Sequence, residues 1–281
     1  MNPAASLDEK NVHLRKQIAS CRRLLIAYSG GVDSAFLAWT AYQVLGDQVR
    51  AVIADSASLA RTHLEDALAF ARENTIPVDV VETHELQNPD YIRNDAMRCF
   101  HCKDELFVVL EAYRQSHGFD AVAYGVNADD QGDFRPGQLA ARQHNVLTPL
   151  LDAELTKNDI RTLAHRADLR VWDKPASACL SSRMEYGRPV TPEALQVIER
   201  GEDALRSLGF RQFRVRHHGD LVRIEIAREE FSRAFSPQMA NEFTAIFKNL
   251  GFKFVTLDLE GFRSGSMNQL LTEQDLLRTR S

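Results

Sequence analysis

The stretch Arg23-Leu-Leu-Ile-Ala-Tyr-Ser-Gly-Gly-Val-Asp-Ser34 runs from an apolar segment of strand length into two adjacent glycines. From Asp33 onward Ala35, Ala38, Ala41 and Leu45 recur at the spacing of one helix face, up to a stop at Gly46. A strand that turns through glycines into a helix gathers backbone amides and the positive end of the helix dipole at one point. A phosphate group is the natural guest there. The turn is not a Walker loop, which needs Lys and Ser or Thr after its last glycine. Nor is it a GxGxxG fingerprint, because Gly30 and Gly31 are adjacent.

The alternation continues on both sides of this turn. A short amphipathic helix is predicted over 6–20, strands over 49–54, 78–82 and 121–125, and helices over 59–74, 100–117 and 157–167. Strand and helix taking turns implies a parallel sheet covered on both faces, with ligands at the carboxyl ends of the strands, where Ser29, Asp55 and Gly125 fall. From Pro189 the pattern changes. A helix over 192–208, paired strands over 213–217 and 221–227 around a His-Gly-Asp turn, a helix over 237–250 and a strand over 252–257 predict a small α+β domain. Two domains are expected, 1–188 and 189–281, without internal repeats.

Hydrophobic residues make up 44% of the 281 and charged residues 26%, the composition of a globular chain that can bury a full core. No apolar run approaches the roughly 20 residues that span a bilayer, and the N-terminus lacks the apolar core of a signal peptide. These features predict a cytoplasmic protein with no membrane partner. A net charge of -5 gives no general attraction to nucleic acid. Four cysteines in a reducing compartment argue for metal binding or catalysis rather than a disulfide framework.

The run Ser29-Gly-Gly-Val-Asp-Ser34 resembles the signature of the PP-loop ATP pyrophosphatases, in which this loop grips the pyrophosphate leaving group of ATP. The resemblance implies ATP contacts from Ser29, Gly30, Gly31, Asp33 and Ser34. It also implies adenosine and phosphate contacts from Asp55 and Ser56 after the second strand, and from Gly125 and Asn127 after a later one. Read without it, Asp55-Ser56 and Gly125-Val-Asn127 are equally ordinary loop residues.

Cys99-Phe-His-Cys102 sets two thiols three residues apart, so that on a helix or turn both face one point. Cys179 is a third thiol in a loop of small residues. Three thiolates suit a zinc with a histidine, or a [4Fe-4S] cluster that leaves one iron without a protein ligand. Cys99 and Cys102 are alternatively buried small side chains. Cys21, alone before the first strand, reads as structural.

The stretch Trp172-Asp-Lys-Pro-Ala-Ser-Ala-Cys-Leu-Ser-Ser-Arg183, followed by Tyr186-Gly187, is similar to the signature of the LarE sulfur transferases, which help build the nickel-pincer nucleotide cofactor. Asn127-Ala-Asp-Asp-Gln-Gly-Asp-Phe-Arg-Pro-Gly137 and Phe213-Arg-Val-Arg-His-His-Gly219 resemble that family's loop and phosphate-binding strand. The resemblance covers nearly the whole chain. It implies that ATP, with Mg2+, adenylates a carboxylate of pyridinium-3,5-biscarboxylic acid mononucleotide, and that a sulfur nucleophile then displaces AMP to leave a thiocarboxylate. The family has two forms. One sacrifices the sulfur of a single cysteine, and the other uses three cysteines around an iron-sulfur cluster that carries an extra sulfide. Cys99, Cys102 and Cys179 match the second, and Cys179 is common to both.

Arg214 and Arg216 alternate along a strand, so both guanidinium groups project from one face and can pinch a phosphate; the bland reading is a solvated basic face. Ser182 and Arg183, close to Cys179, are candidates for the substrate's carboxylate or phosphate. Glu202 and Glu225 resemble acidic positions associated with a divalent metal in the family, and on an amphipathic helix and an exposed strand they read equally as surface charges. The family suggests a homo-oligomer such as a hexamer, with sulfide or another sulfur donor as co-substrate. The competing readings are a tRNA thiolase, an amidating enzyme of the NAD synthetase kind and a non-catalytic iron-sulfur sensor. The acidic balance speaks against the first, and the second gives the three cysteines no role.

Overall fold

Leu24–Ala27 is apolar at every position because both faces of this strand are buried. Leu24 and Ile26 pack among Phe36, Leu37 and Ala41, whereas Leu25 and Ala27 pack among Phe107, Leu110 and Ala140. Side chains that alternate between two cores need helices on both sides. The computed structural model describes residues 5–130, 136–175, 178–263 and 265–270.

In chain order the elements are α1 (Leu7–Ala19), β1 (Leu24–Ala27), α2 (Val32–Leu45), β2 (Val49–Asp55), α3 (Arg61–Glu73), β3 (Val78–Glu82), α4 (Pro89–Ile92), α5 (Arg98–His117) and β4 (Ala121–Tyr124). There follow α6 (Pro136–Gln143), α7 (Pro149–Asp152), α8 (Lys157–Arg166), α9 (Pro192–Ser207), β5 (Phe213–His218), β6 (Leu221–Ile226), α10 (Phe231–Ala234), α11 (Pro237–Asn249) and β7 (Phe254–Leu257).

The chain divides into two compact units, Met1–His84 with Cys99–Ser177, and Glu85–Arg98 with Ala178–Ser281. The division falls ahead of the expected boundary at 188, and a short segment before α5 belongs to the second unit. In the first unit the sheet is parallel throughout, in the order β3-β2-β1-β4. The chain steps outward from β1 to β3 and then returns to the other side of β1. This reversal opens a crevice at the carboxyl ends of β1 and β4, where ligands of such sheets bind. The α/β class with helices on both faces is the one expected from sequence.

The second unit is a three-stranded mixed sheet, with β5 antiparallel to β6 and β6 parallel to β7. α9 buries Leu195, Ile198, Gly201 and Leu205, and α11 buries Met239, Phe243 and Phe247. Gly201 permits the contact between these helices, because a Cβ there would stand 2.7 Å from the ring of Phe247. Among the described residues no helix is long and apolar enough to cross a membrane.

Candidate active site

The turn after β1 is shaped by its neighbours as much as by its own sequence. Gly30 has φ +69°, and a Cβ on it would lie 2.4 Å from Cβ of Ala67 on α3. Gly31 caps α2 without any side-chain hydrogen bond, so the first amides of that helix keep their donors for a ligand. Ser34 Oγ accepts from the amide of Ser29 at 3.1 Å and donates to the carbonyl of Gly31 at 3.2 Å, which closes the turn on itself. Gly125 comes in from the end of β4. A Cβ there would stand 2.7 Å from the Ser34 amide nitrogen, so only glycine lets the two loops meet. Ser29, Gly30, Gly31, Asp33, Ser34 and Gly125 are therefore brought together as expected.

Asp33, in the first turn of α2, lies beside a lysine that the sequence motifs do not include. Lys157, the first residue of α8, reaches Asp33 Oδ2 at 2.5 Å, and Asn127 Nδ2 approaches the same oxygen at 3.4 Å. Asp33 Oδ1 is buried and has no hydrogen-bond partner. Burial raises the pKa of this carboxyl above the ordinary aspartate value, and the ammonium of Lys157 pulls it back only in part. Asn127 also organises its own turn, since its Oδ1 accepts from the Asp129 amide at 2.9 Å while Asp129 accepts from the Lys157 amide at 2.8 Å. A lysine at a helix N-terminus opposes the helix dipole. That placement is the signal in the sequence that could have marked Lys157.

Lys174 is the second unforeseen cation. Its Nζ donates to the carbonyl of Gly30 at 3.3 Å and stands 3.6 Å from Asp66, and burial holds its pKa below the ordinary lysine value. Arg161 on α8 fixes its backbone by donating to the carbonyls of Trp172 at 2.6 Å and Lys174 at 2.8 Å. Asp55 and Ser56 lie at the end of β2 and are tied to one another by Arg61, which binds Asp55 Oδ1 at 2.6 Å and the Ser56 carbonyl at 2.9 Å.

Cys99 and Cys102 lie in the opening turns of α5, Cys99 exposed and Cys102 partly so, and both belong to the first unit. Cys179 belongs to the second unit, at the head of a single 3-10 turn over Leu180–Arg183. None of the four cysteines is in a disulfide. Among the described residues no group of three or more His, Cys, Asp or Glu side chains is arranged as a metal site. The family-like loop between Asn127 and Gly137 lies outside the described residues from 131 to 135, as do Ala176 and Ser177 of the stretch that carries Cys179.

In the second unit the expected acidic and basic residues form buried pairs. Glu202 and Glu225 are not surface charges, for both are buried. Glu202 binds Arg183 through both oxygens, at 2.9 and 3.0 Å, and accepts the Val215 amide at 3.2 Å. Burial alone would push its carboxyl up, but the Arg183 charge and hydrogen bonds bring it below the ordinary value. Glu225 binds Arg216 at 2.8 Å and Ser266 Oγ at 2.8 Å, with Arg223 at 3.3 Å. Both carboxylates that were expected near a divalent metal thus already pair with arginines. Arg183, expected near the substrate, has a side chain that is 1% exposed, and its guanidinium is engaged by Glu202 and by the carbonyls of Ala178 and Cys179, so it holds the loop. Ser182 Oγ likewise bonds inward, to the Cys179 carbonyl at 2.7 Å.

Arg214 and Arg216 share one face of β5 beside these pairs. Arg216 is buried, whereas Arg214 is half-buried with its guanidinium 4.8 Å from the ring centre of Phe262. Burial, with the nearby positive charge of Arg183, lowers Arg214 to about 10. A guanidinium so crowded by desolvation and like charge gains more from an incoming anion than a solvated one.

No family model matches the sequence. The chain is 42% identical to an uncharacterised protein of Synechocystis sp. over 95% of its own length and all of the relative's. It is 28% identical to a subunit of the glutamine-hydrolysing GMP synthase of Saccharolobus solfataricus, over 58% of this chain and 48% of the relative. With the pyridinium-3,5-bisthiocarboxylic acid mononucleotide synthase of Lactiplantibacillus plantarum it shares 34% identity, over 97% of this chain and 98% of the relative. A likeness of that depth, running through both units, shows that the chain belongs to the LarE family within the PP-loop ATP pyrophosphatases.

Proposed function

We propose that this protein is an ATP-dependent sulfur transferase acting on pyridinium-3,5-biscarboxylic acid mononucleotide. A carboxylate oxygen attacks the α-phosphorus of ATP, the bond to the β-phosphate oxygen breaks, and pyrophosphate leaves. A hydrosulfide-level sulfur then attacks the acyl carbon, and AMP departs with the original carboxylate oxygen, leaving a thiocarboxylate. Repetition at the second carboxylate completes the bisthiocarboxylic acid.

The observation that carries this reading is the uncapped start of α2 beside Gly30, with Lys157 and Lys174 at the same turn, in a chain of this family. The helix amides and the Lys174 ammonium stabilise the departing pyrophosphate, whose charge grows as the bond breaks. ATP is used as its Mg2+ complex, and the buried, unpartnered Asp33 Oδ1 fits a ligand to that ion, which neutralises the triphosphate. Arg214 and Arg216 bind the mononucleotide phosphate.

For the sulfur, the reading is that Cys99, Cys102 and Cys179 hold a [4Fe-4S] cluster. The donor set fits, being three thiols outside any disulfide with two of them one helical turn apart. Such a cluster supplies the sulfur that is transferred. Sacrifice of the Cys179 sulfur is the second reading, favoured by the place of Cys179 at the head of a 3-10 turn whose carbonyls are held by arginines. A cytoplasmic homo-oligomer that takes sulfide or another small donor, and no nucleic acid, completes the proposal.

The test is an anaerobic reaction with ATP, substrate and sulfide, read by mass spectrometry of product and protein. Oxygen replaced by sulfur in the product, with about four irons per chain, is the expected result. Pyrophosphate release without a thiolated product sinks the transferase reading. Protein that emerges lacking the Cys179 sulfur replaces the cluster with sacrifice.

A further inference from the structure

The loop that carries Cys179 turns its carbonyl oxygens toward buried guanidinium groups. Arg183 Nη1 donates to the carbonyls of Ala178 at 2.7 Å and Cys179 at 2.9 Å. Arg98 Nη1 donates to that of Ser181 at 2.9 Å, and Arg216 Nη1 to that of Ser182 at 3.0 Å. Three arginines from three segments of the second unit thus hold four carbonyls between residues 178 and 182. Each arginine is anchored behind: Arg183 by Glu202, Arg216 by Glu225, and Arg98 by Oδ1 of buried Asn94. Tyr91, buried on α4, adds a 2.6 Å hydrogen bond to Ser181 Oγ.

Three buried guanidinium groups are costly, and an apolar cluster of the same size would stabilise a small unit at least as well. What apolar side chains cannot do is bond to the main chain of an irregular loop, which has no ladder of its own. Charged donors in a low-dielectric setting make the strongest such bonds. The Cys179 carbonyl is the best held of all, since it also accepts from Ser182 N at 3.0 Å and Ser182 Oγ at 2.7 Å. Arg98, moreover, immediately precedes Cys99 in the chain.

We infer that Arg98 and Arg183 are positioning residues for Cys179. They fix the loop's main chain so that the thiol is presented in one orientation, as a reaction sensitive to displacements of about 1 Å requires. The inference rests on the sulfur-transfer reading for the task of Cys179, but not for the clamp itself.

The test uses the full chain with Arg98→Gln, Arg183→Gln, Arg98→Lys and Arg183→Lys. Three quantities are followed: hydrogen exchange of the peptide covering 178–184, substrate-dependent pyrophosphate release, and thiolated product. In the glutamine variants the loop amides should exchange about tenfold faster, as loss of a charged hydrogen bond gives for a local opening. The KM for ATP should stay within about twofold while thiolated product per pyrophosphate released falls about tenfold. Lysine should restore part of that ratio, since it keeps the charge but not the fork. Loop exchange within about twofold of wild type overturns the inference. So does an equal fall in pyrophosphate release and thiolation with faster exchange throughout the second unit, which marks a merely structural role. Should a glutamine variant not fold, the lysine variant decides by the same exchange criterion. Wild-type protein that makes no thiolated product would sink the transferase reading, while the exchange measurement still judges the clamp.

Discussion

Gly30 is constrained twice, by its positive φ and by Ala67 standing where its Cβ would be. Gly30→Ala should therefore abolish pyrophosphate release, and adding Ala67→Gly should recover only part of it, because the strained φ of about 1–2 kcal/mol remains. A steady-state assay of the three variants separates the two effects, and full recovery in the double variant would show that the contact alone matters. Lys157→Ala should raise the KM for ATP about tenfold, the equivalent of one contact of about 1.4 kcal/mol. It should also move the acid limb of the pH profile. Asp33 must be ionised to act, so activity is present above its pKa and lost as pH falls through it. Burial raises that pKa and Lys157 lowers it, so removal of Lys157 shifts the limb to higher pH. An unmoved limb would mean that Asp33 is not the titrating group. Ser29 to Ser34 was legible from sequence because its chemistry is local. Lys157 and Lys174 were not, since they meet the loop from 124 and 144 residues away.

Among the elements, those with several turns or clear alternation lie within about two residues of their expected bounds, the span over which element ends fray, except α6 (Pro136–Gln143), where no helix was expected. α4, α7 and α10 escaped because one helical turn shows no period. Glu225 was misjudged for another reason. Its residue type suggests solvent, yet it stands directly across from Arg214 in the β5–β6 register, with the Arg216–Arg223 pair two residues along, and no sequence pattern announces a paired buried charge. At this scale the sharpest expectation concerns the helix pair of the second unit. Gly201→Ala places a methyl against the ring of Phe247, and urea unfolding should show a loss of about 1–3 kcal/mol. No loss would mean that α9 and α11 separate freely.

At the scale of the molecule, the sequence changes pattern near Pro189, whereas the second compact unit begins at Ala178 and takes in residues 85–98. The boundary is set by hydrogen bonds from Tyr91, Asn94 and Arg98 to the segment 181–188, contacts that no local composition betrays. The buried pair of Arg183 and Glu202 makes the second unit sensitive to acid. Glu202 has its carboxyl lowered in the folded state, so its contribution is complete above the ordinary value of 4.5 and is lost as pH falls through the lower folded value. Glu202→Gln should cost about 3 kcal/mol at neutral pH, and the difference from wild type should shrink in acid. Hydrogen exchange of second-unit amides at both pH values is the measurement, and a constant difference would discount the pair.

The placing of residues 85–98 in the second unit has a consequence in time. Arg98 leaves the ribosome 83 residues ahead of Ser181, the carbonyl it must bind. At ordinary rates of synthesis that is roughly 4 to 17 seconds during which a strip carrying Glu85, Asp90 and Asp95 against Arg93 and Arg98 has been made and its partner has not. The nascent protein must carry that strip unsatisfied through the completion of an entire parallel sheet, so this short segment is where a chaperone, or a mistake, would find its opportunity.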